Sequence, residues 1–254
     1  MSPLASGAPV AVLTALPEEL APILRRAHGI DGKGSRGVRR GSPGGVPAVF
    51  AATGDGPLQS GRAAAAICSE FKPTALYGIG IAGALSPALS AFDIVVARRV
   101  RDGRSEAPAP DAELLSRARA AGDRAAVLLL TVDRPVCDPR QKAVLLAAVA
   151  GKEPVAVDME SAAWARAAAA SNVPYAVIRA ISDTAGEALP GYLARCVGGN
   201  GGIRRGAVAI RSLAHPTSMA KLLEMRRRLT QGAEKLAAFL ERLLAESASS
   251  VPAR

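Results

Sequence analysis

The amino-acid sequence predicts an α/β fold of three α/β/α layers, with a central mixed, mostly parallel sheet sandwiched between helices. Three observations carry the prediction. Apolar runs of strand length alternate along the chain with Ala- and Leu-rich segments of helix length, the pattern of a sheet covered on both faces. The composition is 49% hydrophobic but only 3% aromatic, which supplies a core of small aliphatic side chains and argues against disorder. At 254 residues, such a core stands without metal or disulfide staples.

The elements follow in order. Val10–Ala15 is an apolar run bounded by Pro17 and reads as a buried strand. Glu18 and Glu19 open a helix that runs to about Ala27, with Pro17 suited to its first turn. Residues 28–45, rich in Gly and Arg, read as a hairpin or loop. Val46–Thr53 is the next strand, closed by the turn Gly54-Asp55-Gly56-Pro57. Ser60–Phe71 is helical and ends at Lys72-Pro73. Ala75–Ile79 is a strand that runs into the turn Gly80-Ile81-Ala82-Gly83, and Asp93–Arg99 is another strand. After the polar stretch 102–111 come helix Ala112–Ala121, strand Val127–Val132 and helix Pro139–Val149. Strand Pro154–Val157 leads through Asp158-Met159-Glu160 into helix Ser161–Ser171, and strand Tyr175–Ile181 ends at Ser182-Asp183. The last helix, Thr217–Ala245, places Leu222, Met225, Leu229, Ala233, Leu236, Leu240 and Leu243 at spacings of three and four. No repeat or linker divides the chain, so 1–254 reads as one domain, with 186–254 a loop-rich, basic helical C-terminal extension.

Thirty-two Lys and Arg against 22 Asp and Glu give a formal charge of +10. Residues 25–40 hold a net +5 and residues 203–254 a net +6, so the rest of the chain is close to neutral. With the charge confined to two patches and few aromatics for base stacking, no nucleic-acid partner is expected. Cys68, Cys137 and Cys196 are widely spaced with no CxxC pair, which excludes a disulfide framework or a cysteine zinc site and makes the cytoplasm the expected compartment. The first 24 residues lack the basic start of a signal peptide, and the uncharged run Pro73–Phe92 is too broken by Gly and Pro to span a membrane. The tail helix carries Arg226, Arg227, Arg228 and Lys235 beside its apolar stripe. It reads either as a packed outer helix with a solvated face or as an interfacial helix drawn to anionic lipid, which would put the protein peripherally at the inner face of the membrane.

In sheets of this kind, sites lie at the carboxyl ends of strands. Glu19, Asp158, Glu160 and Asp183 each follow such an end. Read as a βαβ unit, residues 154–183 bring Glu160 and Asp183 to one side of the sheet, with Arg179 on the incoming strand. Clustered carboxylates suit glycosidic cleavage, where a fixed carboxylate stabilises an oxocarbenium-like charge and a protonated acid serves the leaving group. Apolar surroundings would keep that acid protonated. The bland alternative is helix caps and first-turn residues, which holds for Asp158 at least as well as function does and for Asp183 less well. His28 and His215 read as surface or capping residues, Trp164 as packing against the core or a partner subunit, and Gly198–Gly202 as a loop able to close over an entrance.

The blocks Ala156-Val157-Asp158-Met159-Glu160-Ser161-Ala162-Ala163, Val173-Pro174-Tyr175 and Ile178-Arg179-Ala180-Ile181-Ser182-Asp183 resemble the signature of the nucleoside phosphorylase superfamily. Leu13-Thr14-Ala15-Leu16-Pro17-Glu18-Glu19, Gly78–Ala84 and Phe92–Val96 fit the same pattern, so the resemblance spans roughly residues 10–185 in the family's order. It is similar to the methylthioadenosine/S-adenosylhomocysteine nucleosidases and, through Leu189-Pro190, the glycine-rich loop and His215-Pro216, to the hopanoid-associated phosphorylase branch, for which the implied reaction is release of adenine from adenosylhopane. The resemblance implies a phosphorylase/hydrolase-like fold, no metal or organic cofactor, and a homodimer or higher homo-oligomer. It implies that Asp183 protonates adenine N7 with Ser182 beside it, that Glu160 grips the ribose hydroxyls, and that Met159 packs on the sugar. Glu19 would activate water, with Arg179 helping to position it. Val136 and Cys137 fall in the base-binding loop, and Gly83 and Ala82 line the substrate. One departure stands out: the nucleosidases have a serine where this chain has Ile81. Phosphorolysis stays open beside hydrolysis, with Gly54, Gly56, Arg62 and Gly83 as candidate phosphate contacts, and so does a membrane- or partner-binding module that has lost catalysis.

Overall fold

The first strand, Val10–Thr14 (β1), is buried at every position, so both of its faces must be covered. In the computed structural model it pairs in parallel with Ala48–Ala52 (β3) and with Leu76–Ala84 (β4). The structure describes residues 7–31, 37–122, 125–149, 151–191, 193 and 216–249. A short edge strand, Arg39–Gly41 (β2), lies within the segment expected as a hairpin or loop and runs antiparallel to β3. Beyond β4 the sheet continues through Val155–Asp158 (β7), Ala125–Thr131 (β6), Ile94–Asp102 (β5) and Tyr175–Asp183 (β8). Because β8 also pairs in parallel with β4, this second half closes into a ring. Only β2–β3, β4–β7 and β5–β8 are antiparallel among the described strand pairs, so the sheet is mixed and mostly parallel as the alternation of elements implies.

Helices cover both faces. Pro57–Phe71 (α2) and Ser161–Ala170 (α5) pack Ala64, Ile67, Ala162, Trp164 and Ala165 onto one side. Pro17–Arg26 (α1), Ala112–Ala120 (α3) and Pro216–Ser249 (α6) pack Leu20, Ile23, Ala118, Leu236, Phe239 and Leu240 onto the other. Pro139–Ala148 (α4), capped by the Asp138 side chain, sets Leu145 and Leu146 against Leu128, Leu130 and Val155.

Two expectations change. The glycine segment 80–83 is not a turn: β4 continues to Ala84, with a register shift against β8 between Ala82 and Gly83. A Cβ on Gly78 would lie 2.6 Å from the Trp164 ring, so glycine is there to admit a neighbour rather than to bend the chain. Second, β7 and β8 are not adjacent parallel strands. Both pair with β4, β7 antiparallel and β8 parallel, so they run in opposite directions. Of the two readings of the tail helix, the packed outer helix is the one observed: Ala233, Leu236, Leu240 and Leu243 are buried against the body of the fold. Burying each leucine contributes about 2 kcal/mol, which holds α6 as a packed outer helix and leaves those positions no apolar face for lipid. Part of the first basic patch is paired with the same helix, Arg25 with Glu234 and Arg26 with Glu241. No helix among the described residues is long and apolar enough to cross a membrane. Cys196, Gly198–Gly202 and His215 lie outside the described residues.

Candidate active site

The carboxyl ends of β4 and β8 meet the end of β7 at Gly83, which pairs with Val157 on one side and Asp183 on the other. A Cβ there would sit 3.0 Å from Asp183 Oδ2 and 3.3 Å from Val157 Cγ1. Glycine at 83 therefore lets the Asp158-Met159-Glu160 turn and Asp183 converge on one cleft. That cleft, of about 230 Å³, is lined by Glu19, Ala82, Gly83, Val136, Met159, Glu160, Ser182 and Asp183 among others, so these expected site residues come together. Cys137 does not line it. Its side chain is buried, and its carbonyl accepts from the Leu189 N–H at 2.9 Å, so it anchors the Leu189 segment from behind.

Glu19 enters from the first turn of α1 because Pro17 starts that helix directly after β1. Its Oε2 accepts from the Ala15 and Leu16 N–H groups at 3.0 and 2.9 Å, so part of it is a helix-cap residue after all. Its Oε1 accepts from the Ile81 N–H at 3.0 Å. Position 81 thus holds the carboxylate through its main chain, whatever its side chain. Burial raises the proton affinity of Glu19 above the ordinary carboxylate value, against the Arg179 charge and the three N–H donors.

Arg179 is buried under the sheet end with its guanidinium 4.8 Å from the Trp164 ring centroid. Its Nη2 donates to Asp158 Oδ2 at 2.6 Å and to Ser161 Oγ at 2.9 Å. Asp158 also accepts from Thr131 Oγ1 at 2.8 Å and from the Ser161 hydroxyl. Asp158 is thus the counter-ion of Arg179, and the helix-cap alternative does not describe it. Arg179 Nε and Nη1 have no hydrogen-bond partner among the described residues, which leaves donors on a buried cation.

Glu160 Oε1 accepts from the Gly56 N–H at 3.0 Å, and Oε2 lies 3.9 Å from Arg179 Nη2. Burial, then the neighbouring Asp158 charge, push its carboxyl up to about 8, with Arg179 opposing. Asp183 is different. Apolar surroundings were expected for the acid of the site, yet Asp183 Oδ2 is 2.5 Å from Lys142 Nζ and Oδ1 is 2.5 Å from Ser182 Oγ. The sequence reading missed Lys142. The available signal was its register: it precedes Leu145 and Leu146 by three and four residues on α4, so a lysine stands in line with core positions.

The reading also missed much of the apolar wall. Leu189, Leu193, Met225 and Leu229 line the cleft, the last two from α6. A second cavity of about 550 Å³ adjoins it through Ser182, Asp183, Leu189 and Met225. The candidate phosphate contacts do not assemble here. The Gly56 N–H is committed to Glu160, and Arg62 lines a separate groove with Asp102, Asp133 and Arg166. Among the described residues, no three His, Cys, Asp or Glu side chains form a group that could hold a metal ion.

Gly80 connects the two buried charges. A Cβ there would overlap Arg179 Nη1 and come within 2.9 Å of Glu19 Oε1. Both are pinned, Arg179 by Asp158 and Trp164 and Glu19 by three N–H groups, so the added methyl forces the two charged groups out of place. Gly80→Ala is therefore expected to lower kcat by roughly 100-fold, the scale of an ångström-sized misplacement of a reacting group. Steady-state kinetics alongside a thermal melt would check this, and wild-type turnover would show that the Glu19–Arg179 spacing is immaterial.

Buried carboxylates and an arginine around a cleft at the strand ends of a ring-closed mixed sheet define an enzyme of the nucleosidase and nucleoside phosphorylase class. The chain belongs to the phosphorylase superfamily, whose model matches residues 9–245. It is 27% identical over 203 residues to a 5'-methylthioadenosine/S-adenosylhomocysteine nucleosidase from Geobacillus kaustophilus, covering 70% of this chain and 85% of that protein. It is 29% identical over 172 residues to the protein of the same name from Shewanella frigidimarina, covering 59% and 74%. The fold is shared with the Neisseria meningitidis nucleosidase solved in complex with methylthio-immucillin-A, with a TM-score of 0.74, 20% identity and coverage of 94% and 100%. It is shared equally with the futalosine hydrolase of Helicobacter pylori, with a TM-score of 0.71, 19% identity and coverage of 93% and 97%.

Proposed function

We propose that this protein hydrolyses the N-glycosidic bond of an adenine nucleoside carrying a large apolar group on the ribose 5′ carbon, with adenosylhopane as the substrate. The convergence of Glu19, Glu160 and Asp183 on one cleft, with Arg179 buried beside Glu160 rather than lining it, carries the reading. Glu160 accepts hydrogen bonds from the ribose hydroxyls while Met159 packs on the sugar. Asp183, steadied by Ser182, delivers a proton to N7 of the departing base, which Val136 and main-chain groups of its loop help to hold. Positive charge develops on the ribose, and the surrounding carboxylates stabilise it. Glu19 takes a proton from the attacking water. Its raised proton affinity suits a base, and the remaining Arg179 donors orient the oxygen.

Two observations support the finer points. The absence of Arg62 from the cleft and the use of the Gly56 N–H by Glu160 favour water over phosphate as the nucleophile. Leu189, Leu193, Met225 and Leu229, with the adjoining cavity, favour an apolar 5′ substituent.

The test is a panel of adenosylhopane, methylthioadenosine, adenosylhomocysteine, inosine and adenosine, each with and without phosphate. Adenine release is expected to be fastest from adenosylhopane and to change less than about twofold with phosphate, less than a factor worth 1 kcal/mol. Ribose 1-phosphate formed only with phosphate would establish a phosphorylase instead. Preference for methylthioadenosine would place the chain with the nucleosidases of that name. No release from any substrate would favour the lapsed binding module.

A further inference from the structure

We propose that Lys142 is the positioning residue of the acid arm and the source of the proton that Asp183 hands to the departing base. This rests on the reading of Asp183 given above. Lys142 is 1% exposed, and a buried ammonium is costly unless every proton is met. All three are met: Nζ reaches Asp183 Oδ2 at 2.5 Å, the Thr184 carbonyl at 2.6 Å and the Glu187 carbonyl at 3.1 Å. The two carbonyls fasten the segment after β8 to α4. Glu187 is held in turn by Arg228 of α6, at 2.8 and 2.6 Å from Nη1, so the segment is clamped from both sides.

A structural staple would need only the carbonyls. The contact to Asp183 adds something else. Asp183 accepts at Oδ2 from Lys142, and Oδ1 faces the Ser182 hydroxyl, whose single proton is shared with the Ala82 carbonyl 3.2 Å away. Oδ2 is thus in direct contact with a buried ammonium, and that geometry gives Asp183 a partner able to replace a proton it hands on. Arg228, the other cation nearby, lies 3.4 Å from the Ser182 carbonyl, is engaged by Glu187 and Glu224, and cannot release a proton at neutral pH.

The step balances. The Nζ–H bond breaks as an O–H bond forms on Asp183, and Asp183 passes a proton to N7 while the C1′–N9 bond breaks with its electron pair going to the base. C1′ takes the water oxygen, and the water proton goes to Glu19. The cycle leaves Lys142 neutral and Glu19 protonated, and exchange with solvent restores both.

Lys142→Arg separates charge from proton supply, because a guanidinium can still pair with Asp183 but does not give up its proton. The enzyme is assayed with methylthioadenosine and with p-nitrophenyl β-D-ribofuranoside, whose leaving group departs without protonation. For Lys142→Arg, adenine release is expected to fall roughly 100-fold in kcat with KM changed less than about threefold, while p-nitrophenolate release stays within about threefold of wild type. Lys142→Met should repeat the split with a lower melting temperature. Wild-type adenine release in Lys142→Arg overturns the relay, and equal losses on both substrates reduce Lys142 to a scaffold residue. Asp183→Asn is measured in parallel. If it fails to release adenine while Lys142→Arg is unimpaired, only the Lys142 proposal falls; if it is fully active, the reading of Asp183 falls and the relay with it.

Discussion

Asp183→Asn is expected to lower kcat for adenine release by roughly 1,000-fold while leaving KM within a few-fold, the range in which a positioned general acid acts. The amide keeps the shape of the side chain and can accept from Lys142, so the segment clamped between α4 and α6 stays in place. What it loses is the ability to pass a proton on. The substitution also strips the Lys142 ammonium of its counter-charge in a site where both groups are almost fully buried. Breaking a buried pair costs a few kcal/mol, about 3 at the low end, so the melting temperature should fall as well. A crystal structure or circular dichroism spectrum of the variant, taken with the kinetics, separates the two effects. A folded Asp183→Asn enzyme with wild-type turnover would remove Asp183 from the chemistry altogether.

The architecture was legible because it rests on short-range pattern. Apolar runs such as Val10–Ala15 and Tyr175–Ile181 read as buried strands, and Pro17 marks a helix start through local backbone chemistry. Convergence of Glu160 and Asp183 was also expected, but on a premise that fails. A right-handed βαβ unit would lay their strands side by side and parallel, whereas β7 and β8 run oppositely and meet only through Gly83 of β4. Strand order is a long-range property, and no periodicity in residues 154–183 encodes which strand comes between. The same limit explains the glycines. Read along the chain, Gly80 and Gly83 suggest a turn; in space they are the positions where Arg179, Glu19 and Asp183 need room. Lys142 was missed because a charged residue on a helix reads as solvated, and its acceptors lie about forty residues later, at Asp183, Thr184 and Glu187. The α6 stripe was legible in part. Its spacing was read correctly, but a stripe does not say whether lipid, sheet or substrate covers it; here Leu236 and Leu240 meet the sheet and Met225 and Leu229 meet the cleft.

Glu160→Gln is expected to make the protein more stable and worse at binding, and the two effects come from the same burial. An ordinary glutamate carboxyl titrates near 4.5, and in the fold Glu160 is pushed up to about 8. Between those values the folded state holds a proton that the unfolded chain releases, so the contribution of Glu160 to stability falls as pH rises through that window. Below the window it imposes no penalty, and above it the full cost of a buried carboxylate near Asp158 is present. Glutamine carries no such charge, and its carbonyl can still accept from the Gly56 N–H. The variant should therefore match wild type in thermal melts at acid pH and melt about 4 °C higher or more at pH 8.5, the shift expected from a gain of only 1–2 kcal/mol in a chain of this size. Binding moves the other way. At pH 8.5, where Glu160 is mostly ionised, a carboxylate accepts from both ribose hydroxyls, and replacing one of its oxygens by an NH₂ donor sets a donor against a donor, so nucleoside affinity measured by calorimetry at that pH should fall roughly 100-fold. Equal melting temperatures at pH 8.5 would contradict the raised proton affinity, and unchanged nucleoside affinity would contradict the ribose contact. If both effects appear, the site holds a carboxylate at a cost to the fold because the ribose requires it, which is the stability–function trade-off expected of a residue retained for binding.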